Sequence, residues 1–217
     1  MLTIDLSKVV AGFDDPVSDS QRIFRDALQA LSHPGQIVAL TPHAAIPKHA
    51  QPSAAVLLLA LLDADSHLWL SPTIAASDAA HWIVFHTNCT LVSDPALADF
   101  AWIQDMSEMP ALDSFNQGTD EYPELSTTCL INVAGLEKDS NIDPVISLQG
   151  PGISGIDQLY LNEMKIAQLE LLLNQLQTNH QQFPKGVDIF LCAPHQIAGL
   201  PRTTKLVLRQ SSASIKG

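Results

Sequence analysis

The stretch S-L-Q-G-P-G-I-S-G, Ser147–Gly155, decides how the chain folds around it. Val145–Leu148 is an apolar, strand-like run, and Gly150, Gly152 and Gly155 follow it within six residues. Glycine reaches backbone angles and close approaches that other residues cannot. The spacing also satisfies G-x-G-x-x-G, the dinucleotide-binding fingerprint, which requires a helix to start directly after the glycines. Ile156–Leu161 instead has an extended pattern, and the helical pattern begins near Asn162. Pro151 removes an amide that would cradle a phosphate. Asp188, on the next strand, comes too late to be the ribose-binding acid expected about 20 residues on. Gly150 and Gly152 therefore belong to a structural or ligand-lining turn rather than to a nicotinamide site.

C-terminal to this turn, Asn162 is placed to cap a helix over Glu163–His180, with Ile166, Leu169, Leu172, Leu173 and Leu176 on one face. Phe183-Pro184-Lys185-Gly186 closes it. Val187–Cys192 and Thr203–Leu208 read as strands, and Gln210–Gly217 as a flexible tail. Upstream, Thr127–Val133 is β-branched and apolar, the pattern of a central strand. A turn at Glu137–Asn141 separates it from Val145–Leu148. The polar segment 105–126, with six carboxylates, reads as surface loop and as the best place for a boundary between lobes.

Strands are expected at Ala98–Ile103, His67–Leu70 and Gln36–Leu40. Helices are expected at Ser71–Trp82, Ser53–Leu62 and Gln21–Leu31. The last carries Ile23, Phe24, Ala27, Leu28 and Leu31 as one apolar stripe, with Ser18 or Asp19 as its cap. Ser32-His33-Pro34-Gly35 ends it, since proline disfavours helix at the residue before it. Residues 1–17 form an irregular arm. Helices alternate with strands, so the class is α/β with a mixed sheet flanked by helices, and 217 residues suffice for a single domain.

Hydrophobic residues make up 46% and charged residues 16%, with mean hydropathy +0.13, the balance of a folded chain. A formal net charge of −12, with no basic patch among 11 Lys and Arg, excludes nucleic acid as a partner. Cys89, Cys129 and Cys192 are far apart and form no C-x-x-C pair, the usage of a reducing cytoplasm. The acidic N-terminal stretch is not a signal peptide, and the longest apolar run, Ala54–Leu62, is too short for a bilayer.

No nucleophile elbow and no Walker lysine are present. His81, His86 and Cys89 match no standard zinc spacing, so no metal is expected. His33 has two readings, a functional loop histidine or a helix-ending structural one. Leu200-Pro201-Arg202-Thr203-Thr204 places a guanidinium and two hydroxyls at a strand start. That arrangement suits an oxyanion, or else Arg202 caps a helix or pairs with an acid. Arg25 is the other cation available to an anionic ligand.

Taken in order, several blocks resemble the PhnH subunit of the bacterial carbon–phosphorus lyase system. They are Q-R-I-F-R-D-A-L-Q-A-L-S-H-P-G at Gln21–Gly35, L-L-D-A-D at Leu61–Asp65 with Trp69, and A-D-F-A at Ala98–Ala101. G-T-D-E-Y-P-E-L-S-T-T at Gly118–Thr128, the G-P-G-I turn, F-P-K-G-V-D at Phe183–Asp188 and L-P-R-T-T at Leu200–Thr204 complete the set. Leu31 stands where methionine is expected, a swap that a core tolerates.

The resemblance implies a fold similar to pyridoxal-phosphate-dependent transferases but without the cofactor. The lysines, Lys165, Lys185 and Lys205 among them, offer no evident Schiff-base site. It further implies a role beside PhnG, PhnI and PhnL in displacing adenine from ATP by an alkylphosphonate. PhnG, PhnI and PhnJ are the implied partners, alongside a homodimer of the chain itself. It implies a structural or substrate-organising subunit without catalytic residues. Ligand-binding candidates are Arg25, His33, Gly150, Gly152, Arg202 and Thr203.

Overall fold

The computed structural model describes residues 10–138 and 145–209. The tail 210–217, most of the 1–17 arm and most of the turn expected at Glu137–Asn141 lie outside the described residues. The glycine stretch is the turn of a β-hairpin. In chain order the helices are α1 (Pro16–Ser32), α2 (Pro52–Leu61), α3 (Pro72–Ala75), α4 (Asp78–Thr87) and α5 (Ile166–Gln181). The strands are β1 (Val38–Ala39), β2 (His67–Leu70), β3 (Thr90–Val92), β4 (Phe100–Ile103), β5 (Thr128–Asn132), β6 (Leu136–Glu137), β7 (Val145–Gln149), β8 (Asp157–Leu161), β9 (Asp188–Ala193), β10 (Gln196–Leu200) and β11 (Lys205–Arg209).

Seven strands form a mixed sheet in the order β1-β10-β9-β5-β4-β2-β3. β9, β5, β4, β2 and β3 run parallel, β10 pairs antiparallel with β9, and β1 pairs antiparallel with β10. Its inner strands are buried on both faces, which is why they are nearly continuous apolar runs. Side chains alternate along them: Leu130, Trp102 and Phe190 pack with α1, α2 and α4, while Cys129, Ile131 and Ile189 pack on the opposite side. There α5 and a second, antiparallel sheet, β11-β7-β8-β6, close the other half of the core. The strand at Val145–Leu148 thus belongs to the smaller sheet. It pairs with β8 through Ile146–Leu159 and Leu148–Asp157, so no helix follows its glycines.

Several boundaries shift for local reasons. α1 starts at Pro16, earlier than expected, because Asp15 rather than Ser18 or Asp19 caps it. The Asp15 carboxylate accepts from the Val17 and Ser18 amides at 3.2 and 3.1 Å, and proline suits the first helical position. Asp19 is instead buried, paired with Arg22 at 2.8 Å. Ser77 splits the helix expected over Ser71–Trp82 by capping α4. α5 begins only after Lys165, since Glu163 sits in the left-handed region at φ +60° and breaks the helical path from Asn162. The polar segment 105–126 is short turns rather than free loop. Met106, Leu112 and Phe115 are buried, and Phe115 packs edge-on to Trp69 at 5.6 Å.

The buried stripe of α1 is also displaced. Ile23, Ala27 and Ala30 face inward, while Phe24 and Leu28 are about half exposed. The cause is close approach to β10, a strand whose flanking prolines and internal glycine mask its pattern. A Cβ on Gly199 would sit 2.5 Å from the Ala30 carbonyl oxygen, so small residues must form this seam. A second seam joins the hairpin to the helix end. Gly152 has φ +80°, and a Cβ there would collide with the Ser32 carbonyl and stand 2.9 Å from the Pro34 ring.

Two outcomes follow from this packing. Gly152→Ala incurs both the left-handed penalty and a clash with α1, for a loss of about 2–4 kcal/mol. Gly155→Ala has φ +78° but nothing within 4 Å, so it loses only about 1–2 kcal/mol. Urea unfolding of the two variants measures the difference. Burial pushes the thiols of Cys129 and Cys192 far up, and that of Cys89 up as well. The native chain is therefore expected to give no Ellman colour until denaturant exposes all three thiols.

Candidate functional site

Arg202 lies in the turn between β10 and β11, with its side chain 11% exposed. Asp188, the first residue of β9, meets it two-pronged: Nε donates to Oδ1 at 3.2 Å and Nη2 to Oδ2 at 2.6 Å. The Arg202 backbone amide adds a third bond to Oδ1 at 2.8 Å. Nη1 donates to the carbonyls of Pro123 and Pro184 at 2.6 and 3.4 Å, and Nη2 to Ser126 Oγ at 2.6 Å. Every N–H of the guanidinium thus has a protein acceptor, and no donor remains for an oxyanion. Of the two readings of Arg202, pairing with an acid is the arrangement found. Only a planar fork can serve this many acceptors at once.

The remaining candidates fall along one seam beside this clamp. Gly150 packs against the Thr203 carbonyl, 2.9 Å from where a Cβ would stand. Gly152 packs on Ser32 and Pro34, the neighbours of His33. His33 is the C-terminal cap residue of α1, exposed, with Nδ1 3.0 Å from Ser32 Oγ and 3.3 Å from the Gln29 carbonyl. The structure therefore brings His33, Gly150, Gly152, Thr203 and Arg202 into a continuous strip. Arg25 is exposed on α1, eight residues before His33, or about 12 Å along the axis. His81, His86 and Cys89 do not converge; His86 Nε2 instead lies 3.0 Å from the Val10 carbonyl. Among the described residues no three His, Cys, Asp or Glu side chains come together as metal ligands.

A different group lies where α/β sheets commonly bind ligands, outside the carboxyl ends of the parallel strands. Gln104 follows β4, Asn132 ends β5, and Gln51 precedes α2. With residues 162–164, they line a cleft of about 310 Å³. Trp102 Nε1 donates to Asn132 Oδ1 at 3.2 Å, and Asn132 Nδ2 donates to Gln104 Oε1 at 2.8 Å. Gln51 Nε2 donates to the carbonyls of both Val133 and Cys192, each at 3.0 Å. Hydrogen bonds from the Ser107 hydroxyl and amide hold the nearby Asp105 carboxyl below its ordinary range. Thr73 does the same for Glu108. The lip of the cleft is strained: Glu163 has φ +60°, and Asn162 Oδ1 is buried without a partner. Sequence reasoning missed this group because its members are scattered and form no motif. The one legible signal is an amide placed just after each of two apolar strands, F-A-W-I-Q and T-C-L-I-N.

The fold and clamp define a class first: a two-sheet α/β protein whose characteristic sequence blocks close on one another. The Y-P-E-L-S, F-P-K-G-V-D and L-P-R-T-T blocks meet at Arg202, and the S-H-P-G and G-P-G blocks meet at Gly152. The sequence model described as "Bacterial phosphonate metabolism protein (PhnH)" matches residues 11–207. The chain belongs to this PhnH family. It is 35% identical over 204 residues to the alpha-D-ribose 1-methylphosphonate 5-triphosphate synthase subunit PhnH of Rhizobium meliloti (strain 1021), covering 92% of this chain and 96% of that protein. It is 27% identical over 191 residues to a putative C-P lyase subunit protein, HtxG, of Stutzerimonas stutzeri, covering 87% of this chain and 86% of that protein.

Removing the clamp has a predictable cost. Arg202→Ala leaves the largely buried Asp188 without its partner and lowers unfolding stability by about 3 kcal/mol. Arg202→Lys restores little of it, because an ammonium cannot bridge Asp188, Pro123 and Ser126 together. Denaturant titration of both variants checks this; a lysine variant as stable as the parent would contradict the clamp.

Proposed function

We propose that the chain is the PhnH-type subunit of a carbon–phosphorus lyase assembly in the breakdown of organic phosphonates. In this reading it works with PhnG, PhnI and PhnL to transfer the ribose triphosphate part of ATP to an alkylphosphonate. It is a non-catalytic, organising subunit, a single domain over 1–217, cytoplasmic, homodimeric alone and joined to PhnG, PhnI and PhnJ when assembled. The family match across 11–207, together with the names of both relatives, carries this reading. Two features agree with it. Three of the blocks that carry the resemblance bind one another at Arg202, and among the described residues no helix is long and apolar enough to cross a membrane. The same reading takes the main sheet as a pyridoxal-phosphate-transferase fold without its cofactor. Lys165 precedes α5 and Lys205 opens β11, both exposed, where neither would be held for a Schiff base.

A second reading makes the chain a nucleotide- or phosphonate-binding module acting through the hairpin strip. The exposure of His33 beside Gly152, with Arg25 exposed about 12 Å further along the same helix, favours it. Arg202 enters only as the support that positions Thr203.

Adenine release from ATP plus methylphosphonate separates the two. The organising role predicts release only when the other subunits are added, and none from the lone chain. Robust release by the purified chain alone would sink it. Saturable binding of ATP or methylphosphonate to the lone chain, lost in Arg25→Ala, would favour the module.

A further inference from the structure

The carboxamide cleft at the carboxyl ends of β4 and β5 has a fixed hydrogen-bond polarity. Trp102 Nε1 is a donor only, so it turns Asn132 Oδ1 toward itself. Asn132 must then offer its amino group to Gln104, whose oxygen faces Asn132 at 2.8 Å. Gln104 Nε2 is thereby left as a donor. Val133 and Cys192 present carbonyls, acceptors only, so they claim both hydrogens of Gln51 Nε2 and leave Gln51 Oε1 as an acceptor. Neither glutamine can reverse without leaving a buried partner unsatisfied. The two heads are anchored at successive residues, Asn132 and Val133, and both line the same cleft, which therefore holds one free amide donor and one free amide acceptor.

The rest of the lining narrows the ligand. Met106 and Met164 supply polarizable thioethers, surfaces that favour contact with a flat ring. Asp105 and Glu163 are the charged residues among those lining the cleft, and both repel phosphate. At about 310 Å³ the space is at the small end of ligand sites, suited to one ring system rather than a whole nucleotide.

We propose that this cleft is a binding site for a neutral planar heterocycle that presents a hydrogen-bond acceptor beside a donor, as the edge of a nucleobase does. Adenine is such a ring, with an amino group next to a ring nitrogen. Its nitrogen accepts from Gln104 Nε2 and its amino group donates to Gln51 Oε1. The inference stands apart from the assembly reading, because it concerns binding by the lone chain and needs no other subunit.

Calorimetry on the full chain tests it with three probes: adenine, ribose and sodium triphosphate. The expected result is saturable heat with adenine alone. Gln104→Glu keeps the shape of the side chain but replaces the donor with an acceptor. It should weaken adenine by about tenfold or more while leaving the urea midpoint unchanged. Absence of saturable heat with adenine would overturn the proposal. Equal heat with ribose would make the cleft a polyol site, and unchanged affinity in a folded Gln104→Glu variant would remove Gln104 from it; either result overturns it too.

Discussion

The ion pair between Arg202 and Asp188 gathers three separate connections of the chain at one point. Asp188 opens β9, the strand where the parallel part of the sheet meets antiparallel β10. Arg202 leaves β10 for the smaller sheet, and its guanidinium reaches the carbonyls of Pro123 and Pro184 on two further connections. His180 at the end of α5 adds a contact, with Nδ1 3.1 Å from the Arg202 carbonyl. A partly buried ion pair is weak evidence of stability by itself, since desolvation offsets much of the attraction. Here its effect is specificity. Five donors matched to five acceptors allow one relative arrangement of three loops, and that arrangement sets where the second sheet starts.

From that start the two seams of close backbone approach follow. β11 leads into the sheet that carries the glycine hairpin, and Gly150 packs against Thr203 beside the clamp. The hairpin tip then rests on the end of α1 through Gly152, and α1 in turn lies against β10 through Gly199. Each link depends on the absence of a side chain at one position. Such contacts tolerate little movement, so the clamp, the hairpin and the first helix behave as one unit. The carboxamide cleft lies at the carboxyl ends of the parallel strands, where loops are free to diverge while the strand ends remain rigid.

Much of this was legible in the residues. The apolar runs of β4, β5 and β9, the long helix α5 and the delay between the glycines and that helix all appear as patterns of burial and spacing. The rejection of a dinucleotide site rested on that delay, and the β7–β8 hairpin is its structural cause. Phe24 and Leu28 misled because a periodicity of apolar residues says which stripe is greasy, not which stripe is close. Packing against Gly199 selected the face with alanines. β10 escaped notice because its Gly199 and flanking prolines imitate a loop, although the glycine is there to admit a helix. Arg202 had two readings because a guanidinium suits an external anion and an internal carboxylate equally, and only the position of Asp188 chose between them.

The sequence by itself determined the α/β class, the order of most elements and the family to which the blocks point, because these depend on local pattern and on residue identity in register. Tertiary structure alone decided that the strands divide between two sheets, that Arg202 is saturated from within, and that Gln51, Gln104 and Asn132 share a cleft. Those outcomes depend on distances between residues far apart in the chain, such as the 82 positions between Gln51 and Val133. For the opening stretch the division is plain. Its glycines announced a tight turn, and the end of α1 packed against Gly152 showed what the turn had to be tight against.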